Sequence, residues 1–145
     1  TFPGVEHRLE PVVEVKGVLY INDSKATNPE AAIKAIEAFD RPLILIAGGS
    51  SKGSDFTQLA KKIAERVKHL VVLGDTAEAI IKAVNTTGFS FIHHVSTFQE
   101  AVSKASELAR PGEIILLSPA CASYDMFDNY EHRGEVFKNL VHELV

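Results

Sequence analysis

The sequence predicts an α/β fold in which a mostly parallel sheet lies between two layers of helices. Two observations carry this prediction: short apolar runs alternate with segments of helical periodicity, and each run is apolar throughout instead of alternating with polar residues. Continuous apolar strands are typical of parallel sheets that helices cover on both faces through right-handed crossovers. The expected architecture is therefore a Rossmann-like three-layer domain.

A β-hairpin is predicted before this repeat begins. The segment PVVEVKGVLYIND alternates apolar and polar residues around Lys16 and Gly17, which favours two short strands at about 12–15 and 18–21. The later strands are expected in four apolar runs, namely LILIA (43–47), LVVLG (70–74), FSFIHHV (89–95) and EIILLS (113–118).

The helices between these strands have recognisable start signals. Asn28 is a predicted N-cap, because proline follows it at the first helical position. A second helix is expected to begin at Asp55 and to bury Val67. The pairs Asp75-x-x-Glu78 and Thr97-x-x-Glu100 both have the form of a capping box.

Composition limits the possible functions. The 145 residues fit one domain, and no segment approaches the run of about 18 apolar residues that a membrane helix needs. The formal charge of −4, with dispersed lysines and arginines, argues against a nucleic-acid surface. A single cysteine excludes an internal disulfide framework and a cysteine-rich zinc site, so we assign no metal site and expect a reducing, cytoplasmic environment.

Three of the predicted strands are followed by unusually polar loops. Their sequences are NDSKATN, GGSSKGSD and SPACASYDMFDNYEHRG, whereas the other joints are short. In an open parallel sheet the carboxyl ends of the strands meet at one edge, where ligands bind. We therefore expect these loops to form a ligand site together.

In the first loop, Asp23 and Lys25 are two positions apart, so on an extended segment they point the same way while Ser24 points opposite. Thr27 offers a hydroxyl close to the start of the next helix. The alternative is purely structural: Asp23 and Ser24 form a turn, and Thr27 supports the Asn28 cap.

In the second loop, two glycines leave backbone amides exposed beside a helix N-terminus, and Lys52 adds positive charge. This pattern favours a carboxylate or phosphate, although a glycine turn with a solvated lysine is equally open. In the third loop we interpret Cys121 as a buried thiol, because no histidine adjoins it. Arg133 is expected in a solvated first turn of a last helix that runs from about Tyr130 to Leu144.

Four stretches, GVEHRLE, INDSKATN, GGSSKGSDF and LLSPACASYDMFDNYEHRGEVF, occur in an order and at distances that resemble the C-terminal domain of the Mur ligase family members that use D-glutamate. The resemblance implies an ATP-dependent ligase of bacterial, cytoplasmic peptidoglycan synthesis. Such an enzyme phosphorylates the carboxylate of UDP-N-acetylmuramoyl-L-alanine with the help of Mg²⁺. The amine of D-glutamate then attacks the acyl phosphate.

The resemblance also implies residue roles. The D-glutamate pocket would comprise Thr27, Lys52, Ser123 and the backbone at Tyr130, a position where the family pattern has Phe.

Three further residues would serve the nucleotide and the reaction. Lys25 and Arg8 would act as catalytic cations, Lys25 near the amino acid or the reacting phosphate and Arg8 toward phosphate. Arg8 and Asp23 would also contact the nucleotide, the arginine at phosphate and the aspartate at ribose.

By this resemblance, residues 1–145 are the amino-acid-binding domain, and the N-terminal UDP-binding and central ATPase domains are absent from the chain. Those domains would bind most of the ATP, the Mg²⁺ and the muramoyl substrate, so the isolated chain is expected to be inactive. Neither nucleic acid nor membrane insertion is expected. Two alternatives stay open: another Mur or folylpolyglutamate-type amide ligase, and a non-catalytic Rossmann-like binding module.

Overall fold

The fold is built on one six-stranded sheet with the strand order β1-β2-β6-β3-β4-β5. A computed structural model describes residues 5–51 and 53–145. The strands are β1 (Glu10–Val15), β2 (Val18–Asn22), β3 (Leu43–Ala47), β4 (Val67–Val72), β5 (Ile92–His94) and β6 (Ile114–Leu117). The helices are α1 (Pro29–Glu37), α2 (Thr57–Arg66), α3 (Ala77–Asn85), α4 (Phe98–Leu108) and α5 (Tyr130–His142).

The sheet confirms the predicted fold class. β1 and β2 form the antiparallel hairpin, and every other pair of neighbouring strands is parallel. β6 pairs with β2 on one side and with β3 on the other, so the last strand of the chain lies inside the sheet.

Two apolar layers cover the faces of the sheet. Leu43 and Leu45 of β3 pack with α1, α2 and α3, whereas Ile44 and Ile46 pack with α4 and α5. All four side chains are fully buried, which explains why this strand is apolar at every position.

The predicted helix starts at Asn28 and Thr97 are confirmed, whereas α2 begins at Thr57 instead of Asp55, and the capping box predicted at Asp75 is wrong. Asn28 caps α1 by accepting from the Ala31 amide at 2.9 Å, and both hydrogen bonds of the Thr97–Glu100 capping box are present. Asp75 makes no capping box, because α3 has Thr76 as its N-cap residue without a side-chain cap. The Thr76 hydroxyl instead accepts from the Gly49 amide, so a neighbouring loop takes the group that a cap would use.

The prediction that Val67 belongs to the second helix is also wrong. Val67 is the first residue of β4 and does not belong to α2, because the strand follows the helix without a connecting loop. None of the described helices, α1 to α5, combines the length and the apolar composition of a membrane span.

The loops that follow the neighbouring strands β2, β6 and β3 lead to helices on opposite faces of the sheet. The loops after β2 and β3 lead to helices on one face, whereas the loop after β6 lies between them and leads to α5 on the other face. Such a divergence opens a crevice at the carboxyl ends of the strands. The three polar loops lie at this crevice.

Candidate functional site

The three polar loops, residues 23–28, 48–56 and 118–129, are here called the rim. Because β6 lies between β2 and β3, its loop is the middle one of the three. The rim therefore brings together segments that are far apart in sequence, as the sequence predicts.

Backbone hydrogen bonds join the second rim loop to the third. The Ser50 amide donates to the Ala122 carbonyl at 2.8 Å, and the Ala122 amide donates back to the Ser50 carbonyl at 3.0 Å. The Tyr124 amide donates to the Ser50 hydroxyl at 3.2 Å. Gly49 permits this approach, since a Cβ there would lie 2.2 Å from the Ala122 carbonyl oxygen.

Arg133, from the first turn of α5, joins the first rim loop to the third. Its Nε donates to the Ser24 hydroxyl at 2.9 Å and its Nη2 donates to the Ser24 carbonyl at 2.7 Å. Its Nη1 donates to the Cys121 carbonyl at 3.0 Å. The side chain is 3% exposed, so the prediction of a solvated residue is wrong.

Burial lowers the pKa of Arg133 to about 10, which leaves the guanidinium charged at neutral pH. One feature of the sequence could have indicated that Arg133 is buried among acceptors. A cation in the first helical turn lies near the positive end of the helix dipole, which is unfavourable without compensating acceptors. Two carbonyls and a hydroxyl supply those acceptors here.

His7 fixes the entry of the chain beside the rim. Its ring is buried, and its Nδ1 lies 3.0 Å from Nδ2 of Asn22. Its carbonyl accepts from the Lys25 amide at 2.9 Å. Gly134 in α5 makes room for the ring, because a Cβ there would lie 2.1 Å from the His7 Nδ1. This contact holds the segment around Arg8 against the first rim loop.

The Asp23 side chain also holds the N-terminal segment next to the rim, through two hydrogen bonds. Its Oδ1 accepts from the Leu9 amide at 3.0 Å, and its Oδ2 accepts from the Ser118 hydroxyl at 2.7 Å. Burial raises the pKa of Asp23, while these two hydrogen bonds and the positive charge of Arg8 partly offset that rise. The carboxylate therefore joins the N-terminal segment to the first and third rim loops.

A cleft of about 360 Å³ opens between the N-terminal segment and the start of α1. It brings Arg8, Asp23 and Lys25 together, which are the three residues that the resemblance places at the nucleotide and the reacting phosphate. Arg8 and Lys25 are exposed, and neither forms an ion pair with any residue that the structure describes. With Lys34, three cations line the cleft and outnumber the carboxylates of Asp23 and Glu30, which favours an anion.

Three of the residues predicted to bind D-glutamate, Thr27, Ser123 and Tyr130, lie outside the lining of this cleft. Thr27 is exposed directly before the α1 cap. Ser123 is 2% exposed, and its hydroxyl has no hydrogen-bond partner in the described part of the chain. Lys52 is not among the described residues.

Tyr130 is the first residue of α5, so no intrahelical carbonyl accepts from its amide. Its carbonyl is used inside the protein, where it accepts from the Ser24 hydroxyl at 2.7 Å. Within the described residues no group accepts from the Tyr130 amide, so this amide and the buried Ser123 hydroxyl are both available as donors.

Cys121 is a buried thiol whose surroundings disfavour the thiolate form that a nucleophile needs. Its Sγ lies 3.3 Å from the Thr76 hydroxyl, and burial raises its pKa.

One acidic group within the described residues has a spacing that suits a metal ion, namely Glu6, His7 and Glu135. Lys138 already occupies it, with its Nζ 2.7 Å from a Glu6 oxygen and 3.4 Å from a Glu135 oxygen. An ammonium group there neutralises the carboxylates, so the cluster does not fit a resident metal.

The chain is similar to known proteins over most of its length. Residues 7–121 match the family described as "Mur ligase, glutamate ligase domain". A UDP-N-acetylmuramoylalanine–D-glutamate ligase from Pelotomaculum thermopropionicum is 57% identical over 97% of this chain and 31% of its own length. The enzyme of the same name from Clostridioides difficile is 51% identical over 99% of this chain and 32% of its own length.

Solved structures share the fold at lower sequence identity. A bifunctional folylpolyglutamate synthase/dihydrofolate synthase from Yersinia pestis, complexed with AMPPNP and Mn, has a TM-score of 0.69 and 17% identity, covering 97% of this chain and 32% of that one. The UDP-N-acetylmuramate-alanine ligase MurC from Thermotoga maritima has a TM-score of 0.65 and 14% identity, covering 98% and 31%.

The chain spans about a third of the length of the curated relatives that it matches. The family match covers most of the chain, and the relatives exceed half identity across nearly all of it. This chain therefore belongs to the Mur ligase family, as its glutamate ligase domain.

Proposed function

We propose that this chain is the amino-acid-binding domain of a bacterial, cytoplasmic, ATP-dependent ligase that joins D-glutamate to UDP-N-acetylmuramoyl-L-alanine. The observation that carries the proposal is the 57% identity, over 97% of the chain, with a relative named for that reaction. The activity belongs to the larger protein, whose UDP-binding and ATPase domains complete the cleft.

The cleft fits the phosphate end of a nucleotide. When bound, ATP supplies the phosphoryl group that activates the substrate carboxylate. Arg8 and Lys25 line the cleft as exposed cations, which suits the negative charge of phosphate and of an acyl phosphate. A structural neighbour is a synthase complexed with AMPPNP and Mn, which supports nucleotide binding in this family.

Asp23 is proposed to contact the ribose, although it is 4% exposed. Each of its oxygens accepts one internal hydrogen bond, and a carboxylate oxygen can accept two. Its internal bonds have a second role, because they hold Leu9 and so orient Arg8 toward the cleft. We assign Mg²⁺ to the central domain, since the acidic cluster around Lys138 does not fit it.

D-Glutamate carries two carboxylates, which need fixed donors. We assign Thr27, Ser123, the Tyr130 amide and Lys52 to them. The support is the unpartnered, buried Ser123 hydroxyl together with the free amide at the start of α5, a 13-residue helix whose positive end favours an anion.

The test uses the full-length ligase that contains this chain. Thr27→Ala and Ser123→Ala should raise the KM for D-glutamate at least tenfold, a loss of about 1.4 kcal/mol of binding, and leave the KM for ATP nearly unchanged. Lys25→Ala should mainly lower kcat. Ser103→Ala, at an exposed serine on α4, is the matched control.

Two results would overturn parts of the proposal. Equal effects of Thr27→Ala and Ser123→Ala on both substrates would remove these residues from the amino-acid pocket. Incorporation of L-glutamate onto a folate, with none of D-glutamate onto the muramoyl substrate, would replace the proposed activity with that of a folylpolyglutamate-type ligase.

A further inference from the structure

Two histidines face each other at the outer edge of the sheet, away from the rim. His69 lies on β4 and His93 on β5, the neighbouring edge strand. Nδ1 of His69 is 3.1 Å from Nε2 of His93, and the ring centroids are 5.1 Å apart. Both side chains are half-buried, so solvent reaches them.

This separation matches that of two nitrogens on one metal ion. Zinc–nitrogen bonds are about 2.0–2.1 Å long, which places two imidazole nitrogens about 2.9 Å apart at a right angle and about 3.3 Å apart at a tetrahedral angle. The observed 3.1 Å lies between these values. The distance between the nitrogens is therefore suited to one cation, and binding requires only that the two rings turn so that both lone pairs point at it.

We propose that His69 and His93 form a two-imidazole binding site for a borderline divalent transition cation, of the Ni²⁺, Cu²⁺ or Zn²⁺ class. Imidazole suits these cations better than it suits Mg²⁺ or Ca²⁺, and Cu²⁺ should bind most tightly in the usual order of affinities. Water completes the coordination, so the site is open.

The surrounding charges permit a cation. The lysine whose charge acts on His69 is Lys68, and its Nζ lies 2.5 Å from Glu113 Oε2. The lysine whose charge acts on His93 is Lys104, and its Nζ lies 3.7 Å from Glu107 Oε2. Each positive charge is thus compensated by a carboxylate. This differs from the Glu6 cluster, where an ammonium group occupies the site itself.

The positions of the hydrogens on the two imidazole rings also allow a cation to bind. Without metal, the short contact requires one of the two nitrogens to carry a hydrogen. The distal nitrogens, Nε2 of His69 and Nδ1 of His93, have no hydrogen bond to another described residue. When a cation enters, the hydrogen in the gap passes through solvent to the distal nitrogen of its own ring, and both rings remain neutral.

A bound cation would stabilise the edge of the sheet by linking β4 to β5. β5 has three residues and pairs only with β4 among the described strands. A ligand shared between β4 and β5 exists only in the folded chain, so binding must stabilise the fold. The same closure would shield an otherwise open strand edge.

The test is titration of this chain with NiCl₂, CuCl₂ and ZnCl₂, followed by calorimetry and thermal unfolding. The wild-type chain should bind one equivalent of each cation and melt at a higher temperature. His69→Asn and His93→Asn should each weaken binding by at least the roughly tenfold loss that accompanies removal of an outer-shell partner. His94→Asn, at the adjacent exposed histidine, should bind as the wild type does.

A spectroscopic measurement makes the result independent of how the variants fold. Electron paramagnetic resonance of the wild-type chain with one equivalent of Cu²⁺ should show two imidazole nitrogens. A spectrum with a single nitrogen, or equal affinities for all three variants and the wild type, would overturn the proposal.

Discussion

Arg133 and Ser24 lie 109 positions apart in the chain and are joined by two hydrogen bonds, one to the hydroxyl at 2.9 Å and one to the carbonyl at 2.7 Å. The Ser24 hydroxyl in turn donates to the Tyr130 carbonyl. One guanidinium therefore sets the distance between the loop that carries Lys25 and the helix start that carries Tyr130. The proposed phosphate and amino-acid sites share this link.

Replacing Arg133 with Met should strongly destabilise the fold. The change leaves the Ser24 and Cys121 carbonyls without their buried donors, and the free energy of unfolding should fall by about 3–5 kcal/mol. Urea denaturation measures the change. Arg41→Met, at an exposed arginine, should alter it by less than about 0.5 kcal/mol. Equal effects of the two substitutions would show that the network contributes nothing.

Gly49→Ala should disrupt the contact between two rim loops. The new Cβ would meet the Ala122 carbonyl oxygen at 2.2 Å, and the φ of +148° is unfavourable for alanine. The expected loss in free energy of unfolding exceeds about 3 kcal/mol.

Gly53 offers a control in the same loop. Its φ is +77° but a Cβ there would meet nothing within 4 Å. Gly53→Ala should therefore lower the free energy of unfolding by only about 1–2 kcal/mol, which is the cost of placing alanine in a left-handed backbone conformation. The same denaturation series measures this change. If the two alanines cost the same, steric contact with Ala122 is not the reason for Gly49.

Asp23 should impose a pH dependence on stability in the acidic range. Burial raises its pKa in the folded state above the unfolded value of about 3.9. The unfolded chain therefore ionises this group first, and stability is lost as the pH rises from about 4 through the folded-state pKa. Relative to the wild type, Asp23→Asn should thus gain stability with rising pH in this window.

Asparagine is a suitable replacement because its Oδ1 can still accept from the Leu9 amide and its Nδ2 can donate to the Ser118 hydroxyl. Denaturation curves from pH 4 to 7 provide the comparison, with Asp40→Asn at an exposed aspartate as the control. Parallel curves for the wild type and Asp23→Asn would contradict the prediction.

The histidine pair should impose a dependence of opposite sign. Burial, followed by the positive charges of His93 and Lys68, lowers the pKa of His69, while Glu113 opposes the shift. Burial, followed by Lys104, lowers the pKa of His93, while Glu107 opposes it. Both folded-state pKa values are thus lowered.

For a histidine whose pKa is lowered by folding, the stability present above the unfolded value of about 6.5 is lost as the pH falls. Metal-free wild-type chain should therefore become less stable from pH 7 to pH 5, as measured by urea denaturation. A His69→Asn/His93→Asn double variant should lose part of that slope, whereas His94→Asn should keep it. An unchanged slope in the double variant would assign the effect elsewhere.

The sequence predicts the fold class and the position of the rim because both depend on short-range patterns. Apolar runs such as LILIA identify buried strands, and the polar loops identify the sheet edge. The hairpin and the Asn28 cap follow from local turn and capping chemistry in the same way.

The contacts that assemble the rim are not visible in local patterns. From the sequence alone Arg133 is predicted to be a surface residue, because only the folded sheet places the loop at Ser24 next to it. His7 likewise owes its burial to the missing side chain of Gly134. Thr76 is diverted from capping α3 by the Gly49 amide. Each case is a long-range hydrogen bond or close approach that overrides a local preference.

The placement of β6 has a consequence for synthesis on the ribosome. Its partners β2 and β3 are complete long before residues 114–117 emerge, so each exposes an unpaired strand edge in the nascent chain. Until that insertion, the hairpin and the β3–β5 segment cannot form one continuous sheet, and the rim does not exist. Ligand binding is thus deferred until β6 has been translated, and a nascent chain that stalls before residue 114 exposes two unpaired strand edges to chaperones and to neighbouring chains.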